Sequence, residues 1–244
     1  MNLSYIRFQQ GNFAEAKSNI QEAIPAAKQL DARSDQADAL QILGDILLAQ
    51  DDLAEADKSY SESLDIQASL GNKAGVAGCQ LSLAGLELER SQAAKAATLA
   101  SQAIEEFLAE KSPDGETSAR VAKAKSHLGQ GQVKEARIEV DQAEKLKAGD
   151  RTIKLDLAIT QARVLAREGN FSSAGSKLRD AANQARQAGL RVYELRAQLA
   201  AGEVQILAKN QVSGSAILQE VQKNAAKIGF NLVGRKAAAM LAGS

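Results

Sequence analysis

Tryptophan is absent from this 244-residue chain, and with three Tyr and five Phe the aromatics make up only 3% of it. A β-sandwich or barrel draws on aromatic and β-branched side chains to cover its pleated faces, so that class is excluded. Two prolines and 18 glycines leave too few turn signals for many short strands. The one cysteine, Cys79, permits no internal disulfide, and the one histidine, His127, permits no ordinary zinc site. No run approaches 18 uncharged apolar residues, and the opening MNLSYIRFQQGN lacks the apolar stretch of a signal peptide. No membrane association is therefore expected, and the expected location is cytoplasmic.

Groups able to do covalent chemistry are equally sparse. Nucleophilic catalysis needs a base held beside the nucleophile, and metal catalysis needs converging ligands; neither pattern occurs. Asp51-Asp52 and Glu105-Glu106 fall at helix ends or on polar faces, where carboxylates cap and solvate. Gly129-Gln130-Gly131 reads as a turn between helices rather than a phosphate loop. No catalytic, cofactor-binding or metal-binding residue is assigned, and an enzyme is not expected.

What the chain has in quantity is alanine, 47 residues or close to one in five, and alanine favours helix. It also has a repeat. Polar turns leading into small-residue helix starts occur at Gly11-Asn12-Phe13-Ala14, Asp51-Asp52-Leu53-Ala54, Ser91-Gln92-Ala93-Ala94, Gly131-Gln132-Val133-Lys134 and Gly169-Asn170-Phe171-Ser172, spaced 40, 40, 40 and 38 residues apart. A weaker sixth copy begins at Asn210, 41 residues on. Before each turn, apolar residues fall three and four apart, as in Leu40, Leu43, Gly44 and Leu47, which is one face of a helix. After it, Asn12, Asp52 and Asn170 stand at N-cap positions, with Glu15 and Glu55 placed to complete a capping box. Gly71 and Gly189 mark helix ends. The pattern predicts A helices near 34–50, 74–90, 116–130, 152–168 and 191–209, and B helices near 12–30, 52–70, 92–110, 132–148, 170–188 and 213–228, with a closing helix over 231–242. Each pair is too small to bury its own apolar face and must stack on its neighbours.

The pairing of small residues twelve apart, Gly44 with Ala56, Ala84 with Ala96, Ala124 with Ala136 and Ala162 with Ala174, resembles the tetratricopeptide repeat. That family also expects a large residue four positions after the second small one, met by Ile20, Tyr60, Val140 and Leu178 but not by Ala100. Ala23, Ala103, Ala143 and Ala181 follow three residues later, with Ser63 departing. The period is about 40 rather than 34 and the usual proline at the repeat end is missing, as in longer-period bacterial members. A HEAT-type repeat has a similar period but not this small-residue pair.

The resemblance implies an all-α, right-handed α-solenoid of stacked antiparallel helix pairs, one domain over 1–244 with five to six pairs, a partial first repeat and a capping helix over 231–242. The closing segment, Ala225 to Ala238, is similar to that of bacterial arrays joined to kinase, cyclase or transcription-factor domains, so the chain is read as a piece of a larger signalling protein. The function implied is a protein-interaction scaffold that holds a peptide or partner helix in a concave groove. The alternative is a regulatory domain that senses a ligand or an attached effector domain. Family geometry places Asp38, Gln41, Asp45 and Leu48 in that groove, then Leu81 and Leu88, then Val121, Lys125 and Leu128, then Asp156, Ile159 and Arg163, with Gly78, Gly85, Ser118 and Ala166 completing the columns.

Charge is the last signal. Residues 1–119 carry 9 Lys and Arg against 19 Asp and Glu, while 120–244 carry 21 against 11. In an open solenoid the two halves lie at opposite ends, so the chain is expected to be a dipolar rod. Its basic end would attract an acidic protein partner, or the acidic end of another copy in a weak homodimer. Nucleic acid is not expected, because the basic half lacks interleaved aromatics and any reading motif.

Overall fold

A computed structural model describes residues 2–243, and among these it contains thirteen helices and no strand. They are α1 (Asn2–Gln9), α2 (Phe13–Gln29), α3 (Arg33–Ala49), α4 (Leu53–Ser69), α5 (Lys73–Glu89), α6 (Ala93–Ala109), α7 (Pro113–Gly129), α8 (Val133–Lys145), α9 (Arg151–Arg167), α10 (Phe171–Gln187), α11 (Arg191–Leu207), α12 (Gln211–Ile228) and α13 (Asn231–Ala242). The odd-numbered helices α1 to α11 are the A helices and the even-numbered ones the B helices. Each packs on the next in sequence, and successive A helices pack on one another.

The expected turns are present, and the unit beneath them is twenty residues. A left-handed backbone conformation recurs at Gly11, Asp31, Asp51, Gly71, Ser91, Lys111 and Gly131, and again at Lys147, Gly169, Gly189, Lys209 and Gly229. At most of these the residue before it closes one helix and the residue after it opens the next, so a seventeen-residue helix and a three-residue turn repeat; Lys147, followed by a longer loop to Asp150, and Gly229, which itself closes α12, depart from this. Glycine takes this conformation without strain; the charged and serine residues that take it are held there by the helices on either side. Capping is only partly as expected. Asp52 accepts from the Glu55 amide at 3.3 Å and Asn170 from the Ser173 amide at 3.4 Å, but Asn12 makes no side-chain cap.

Two helices differ from their expected bounds for local reasons. α7 begins at Pro113, three residues early, because proline is suited to the first helical position and Ser112 caps the Gly115 amide at 3.2 Å. α8 ends at Lys145, three residues short. The loop after it is held by Asp114, which accepts from the Gly149 and Asp150 amides at 2.6 and 3.3 Å, and Asp150 then caps α9 through Thr152 and Ile153.

The small-residue register holds. Ala56, Ala84, Ala96, Ala124, Ala136, Ala162 and Ala174 are fully buried, as are Ile20, Tyr60 and Val140, with Leu178 1% exposed. Close packing of this kind leaves no room for an added methylene.

The dipolar rod is overturned. The solenoid closes on itself: α13 packs on α3 and α11, and α1 packs on α11. Phe8, Phe13, Ile20 and Ile46 from the first repeats share one hydrophobic core with Leu195, Leu218, Phe230 and Val233 from the last. Phe13 and Phe230 meet edge to face, with ring centroids 5.4 Å apart. Sequence distance equals distance along the axis only while a superhelix stays open, and this one completes its turn. Arg235 pairs with Asp51 at 2.6 Å and Lys236 with Glu89 at 2.5 Å, so basic and acidic halves meet within one chain.

Candidate functional site

Closure turns the inner faces of the A helices into the wall of a bore. Side chains on these inner faces, several of them at family positions two and nine, bond from one repeat to the next. Gln41 of α3 donates to Ser82 of α5 at 3.0 Å. Lys125 of α7 pairs with Asp156 of α9 at 2.6 Å, and Arg163 of α9 pairs with Glu203 of α11 at 3.0 Å. Within the second pair of helices, Tyr60 donates to Asp45 at 2.7 Å and Gln67 to Asp38 at 3.1 Å.

The two ion pairs are enclosed by protein yet still meet solvent, whereas Tyr60 and Gln67 are fully buried. The side chains of Lys125 and Asp156 are 28% and 27% exposed, and those of Arg163 and Glu203 are 25% and 17% exposed. Enclosure moves their protonation equilibria. Burial pushes the Asp45 carboxyl up to about 6, against the pull of the Tyr60 hydroxyl and the Arg196 charge. Burial lowers Lys125, and Asp156 opposes it. For Asp156 and Glu203 burial acts upward, but the cations beside them outweigh it and hold both carboxyls low. Asp45, raised to about 6, is instead brought toward neutral pH.

The apolar residues expected in the groove divide. Val121 and Ile159 are each 1% exposed and belong to the cores between helices, so they offer no surface to a ligand. Leu48, Leu81 and Leu128 are half-buried against those cores, and Leu88 is half-buried beside Gly129. At two positions α5 presents bare backbone: a Cβ added at Gly85 would meet nothing within 4 Å, and one at Gly78 would meet only Gln41.

The sequence matches the MalT-like TPR region over residues 1–240. The chain belongs to this family. None of the curated proteins matches it in sequence. Among solved structures, a Rap protein complexed with competence and sporulation factor is similar, with a TM-score of 0.71 and 14% identity over 98% of this chain and 72% of that one. BtubC (BKLC) from P. vanneervenii is similar with a TM-score of 0.58 and 13% identity, over 88% of this chain and 92% of that one. At these identities the likeness is one of fold.

In this MalT-like TPR region two bore residues escape a sequence reading that stops at the fifth repeat. Arg196 and Glu203 lie 40 residues after Asp156 and Arg163, at the same two repeat positions on α11. Extending the register by one repeat finds both. Glu203 serves Arg163 and, at 3.2 Å, Arg167. Arg196 lies over the rings of Tyr193 and Phe230, its guanidinium carbon 5.4 and 5.9 Å from their centroids. Its charge is felt by Asp45 on α3, Lys125 on α7, Asp156 on α9 and Lys236 on α13.

The remaining candidates for chemistry are structural. Cys79 is fully buried 3.2 Å from the Ser63 hydroxyl, and burial raises its thiol above the usual range, which disfavours the reactive thiolate. His127 closes the turn after α7, its Nδ1 2.6 Å from Gln132 Oε1. No helix among the described residues is long and apolar enough to cross a membrane.

Proposed function

We propose that this MalT-like TPR region is a protein-interaction module that takes a short extended peptide or partner segment into its bore, with no catalysis of its own. The observation that carries the reading is the bore wall itself. Charged and amide side chains line it in a ladder, solvent reaches them, and the glycines of α5 leave main chain open to contact. Such a lining suits a peptide, whose backbone needs donors and acceptors along its length. The complex of the similar Rap protein with competence and sporulation factor supports the reading by analogy of fold.

The partner's charge needs restating. Lys125 and Arg163 already serve Asp156 and Glu203, so neither is free to meet an acidic segment. Reversing their charges would place like charges together and disturb the wall. The site we favour for an acidic group lies on α11.

Selection of random heptapeptides on the immobilised full chain tests the function. Selected peptides are then titrated by calorimetry into the wild type and into Gly85→Phe, which fills the open wall of α5. Affinity reduced tenfold or more by the substitution places the site in the bore; unchanged affinity places it elsewhere, and a selection that yields no binder ends the reading.

A second reading, a regulatory domain whose curvature responds to a ligand, is favoured by the closure. The polar contacts that close the ring include a few ion pairs to Arg235 and Lys236, whose side chains are 48% and 37% exposed, and exposed pairs are individually weak. Small-angle scattering with and without a selected peptide decides between a rigid and a responsive ring.

A further inference from the structure

Of the nine Lys and Arg on α7, α9 and α11, six have a carboxylate within reach, Arg120 at 2.7 Å, Lys123 at 3.0 Å, Lys125 at 2.6 Å, Arg163 at 3.0 Å, Arg167 at 3.2 Å and Arg191 at 2.6 Å, and Arg151 and Lys154 are exposed on α9. Arg196, on the same face as Lys125 and Arg163, has no ion pair and no hydrogen bond among the described residues. What lies beside its guanidinium is aromatic, the Tyr193 ring at 5.4 Å and the Phe230 ring at 5.9 Å from its carbon. The ring faces attract its charge, but they supply no strong acceptor for its N–H donors. The carboxylates that share the interior are committed elsewhere, Asp45 to Tyr60, Asp156 to Lys125 and Glu203 to two arginines.

A guanidinium that is half-buried and has no carboxylate within ion-pair distance, though Asp45 and Asp156 feel its charge, matches a carboxylate, which can take two parallel N–H bonds from it. We propose that Arg196 anchors a carboxylate of the bound peptide, so that the ligand completes the ladder that the protein leaves unpaired on α11. The inference rests on the bore being the peptide site. It adds which end or side chain of the peptide is read, and by what.

The chemistry has two sources, the C-terminal carboxylate or an Asp or Glu side chain, and the test separates them. Two pools of random heptapeptides, one with free C-terminal carboxylates and one C-terminally amidated, are passed over the immobilised full chain and the retained peptides identified by mass. Wild type should retain free acids at least tenfold over amides if the terminus is read. It should enrich Asp or Glu at one position in both pools if a side chain is read. In either case Arg196→Gln should abolish the preference, and Arg196→Lys, which keeps the charge without the fork, should reduce it. Circular dichroism melts establish that the variants fold; should Arg196→Gln not fold, Arg196→Lys alone decides by whether the preference drops. Peptides retained with no preference for a carboxylate, or a preference that neither variant changes, overturn the role of Arg196 and leave the bore as the site. Retention from neither pool overturns the function on which the role rests.

Discussion

Lys236 of α13 lies 2.5 Å from Glu89 of α5, 147 residues earlier in the chain. Glu89 is 13% exposed, and it also lies 3.7 Å from Arg235, which in turn pairs with Asp51. Asn231 adds a bond to the Gln50 carbonyl at 3.1 Å. The charge asymmetry between the halves of the sequence is thus partly spent inside the molecule, where a basic helix docks on acidic turns. Attraction between exposed charges falls off over about 10 Å at 0.1 M salt, and closure brings these groups well inside that range.

Reversal of both basic residues, Arg235→Glu with Lys236→Glu, should therefore release α13 without melting the repeats. Exposed pairs contribute about 0.2–1 kcal/mol each, and the new repulsion adds a similar amount, so a loss of about 1–2 kcal/mol is expected. Deuterium uptake over residues 231–242 should rise while uptake in α6 to α9 is unchanged, and the radius of gyration should grow. Unaltered uptake in α13 would show that its apolar contacts, Phe230 and Val233 above all, hold the ring closed unaided.

The repeat register makes a packing prediction. Ala136 is fully buried where α7 and α8 approach, whereas Lys134, two residues before it, is exposed. Ala136→Leu should overpack the pair and cost on the order of 1–3 kcal/mol, and Lys134→Leu less than about 0.5 kcal/mol. Chemical denaturation measures both. Equal costs would sink the register.

Local pattern carried most of the architecture. Turns such as Asp51-Asp52 and Gly169-Asn170, and small pairs such as Ala124 with Ala136, depend on contacts within one repeat, and the sequence states them in one window. Closure depends on how small rotations between repeats accumulate, so nothing near Lys236 in the sequence points to Glu89. The site divides along the same line. Repeat arithmetic places Asp45, Lys125, Asp156 and Arg163 on the inner wall, and carried one repeat further it places Arg196 and Glu203 there too. It cannot say that Lys125 and Arg163 are paired while Arg196 is not, because that depends on which neighbour carries a carboxylate at the right height. Val121 and Ile159 sit at a family groove position and were absorbed by the cores between helices because they are apolar enough to gain by it.

Asp45 gives the protein a pH dependence of definite sign. Its carboxyl, faced by Tyr60 from α4 and by the charge of Arg196 from α11, is raised from 3.8 to about 6. A raised folded-state value means that the contribution to stability is fully present below about pH 4 and is lost as pH rises through about 6. Asp45→Asn does not titrate and can still accept from Tyr60, so it should gain on the wild type across that window. The upper bound is about 3 kcal/mol at about 1.4 kcal/mol per unit, and water in the bore should reduce the observed gain to about 1–2 kcal/mol. Thermal melts of both proteins at pH 4.5 and pH 8 test this, and a gap between them that does not widen at pH 8 refutes it.

Gly85 separates stability from function. Glycine inside a helix is less favourable than alanine by about 0.5–1 kcal/mol, so a protein that keeps one at mid-helix forgoes that stability. At Gly44 the reason is steric, because an added Cβ would collide with the Tyr60 ring. At Gly85 no such neighbour exists within 4 Å, and the position faces the bore. Gly85→Ala should accordingly raise the midpoint of denaturation, by about 0.5–1 kcal/mol in stability, with no change in the fold. The same methyl group should weaken binding of a selected peptide if the ligand's main chain lies against α5. A variant that is more stable and binds less well is the expected pair of results. Greater stability with full affinity would move the peptide away from α5, toward α9 and α11, and a loss of stability would mean that the space beside Gly85 is already filled.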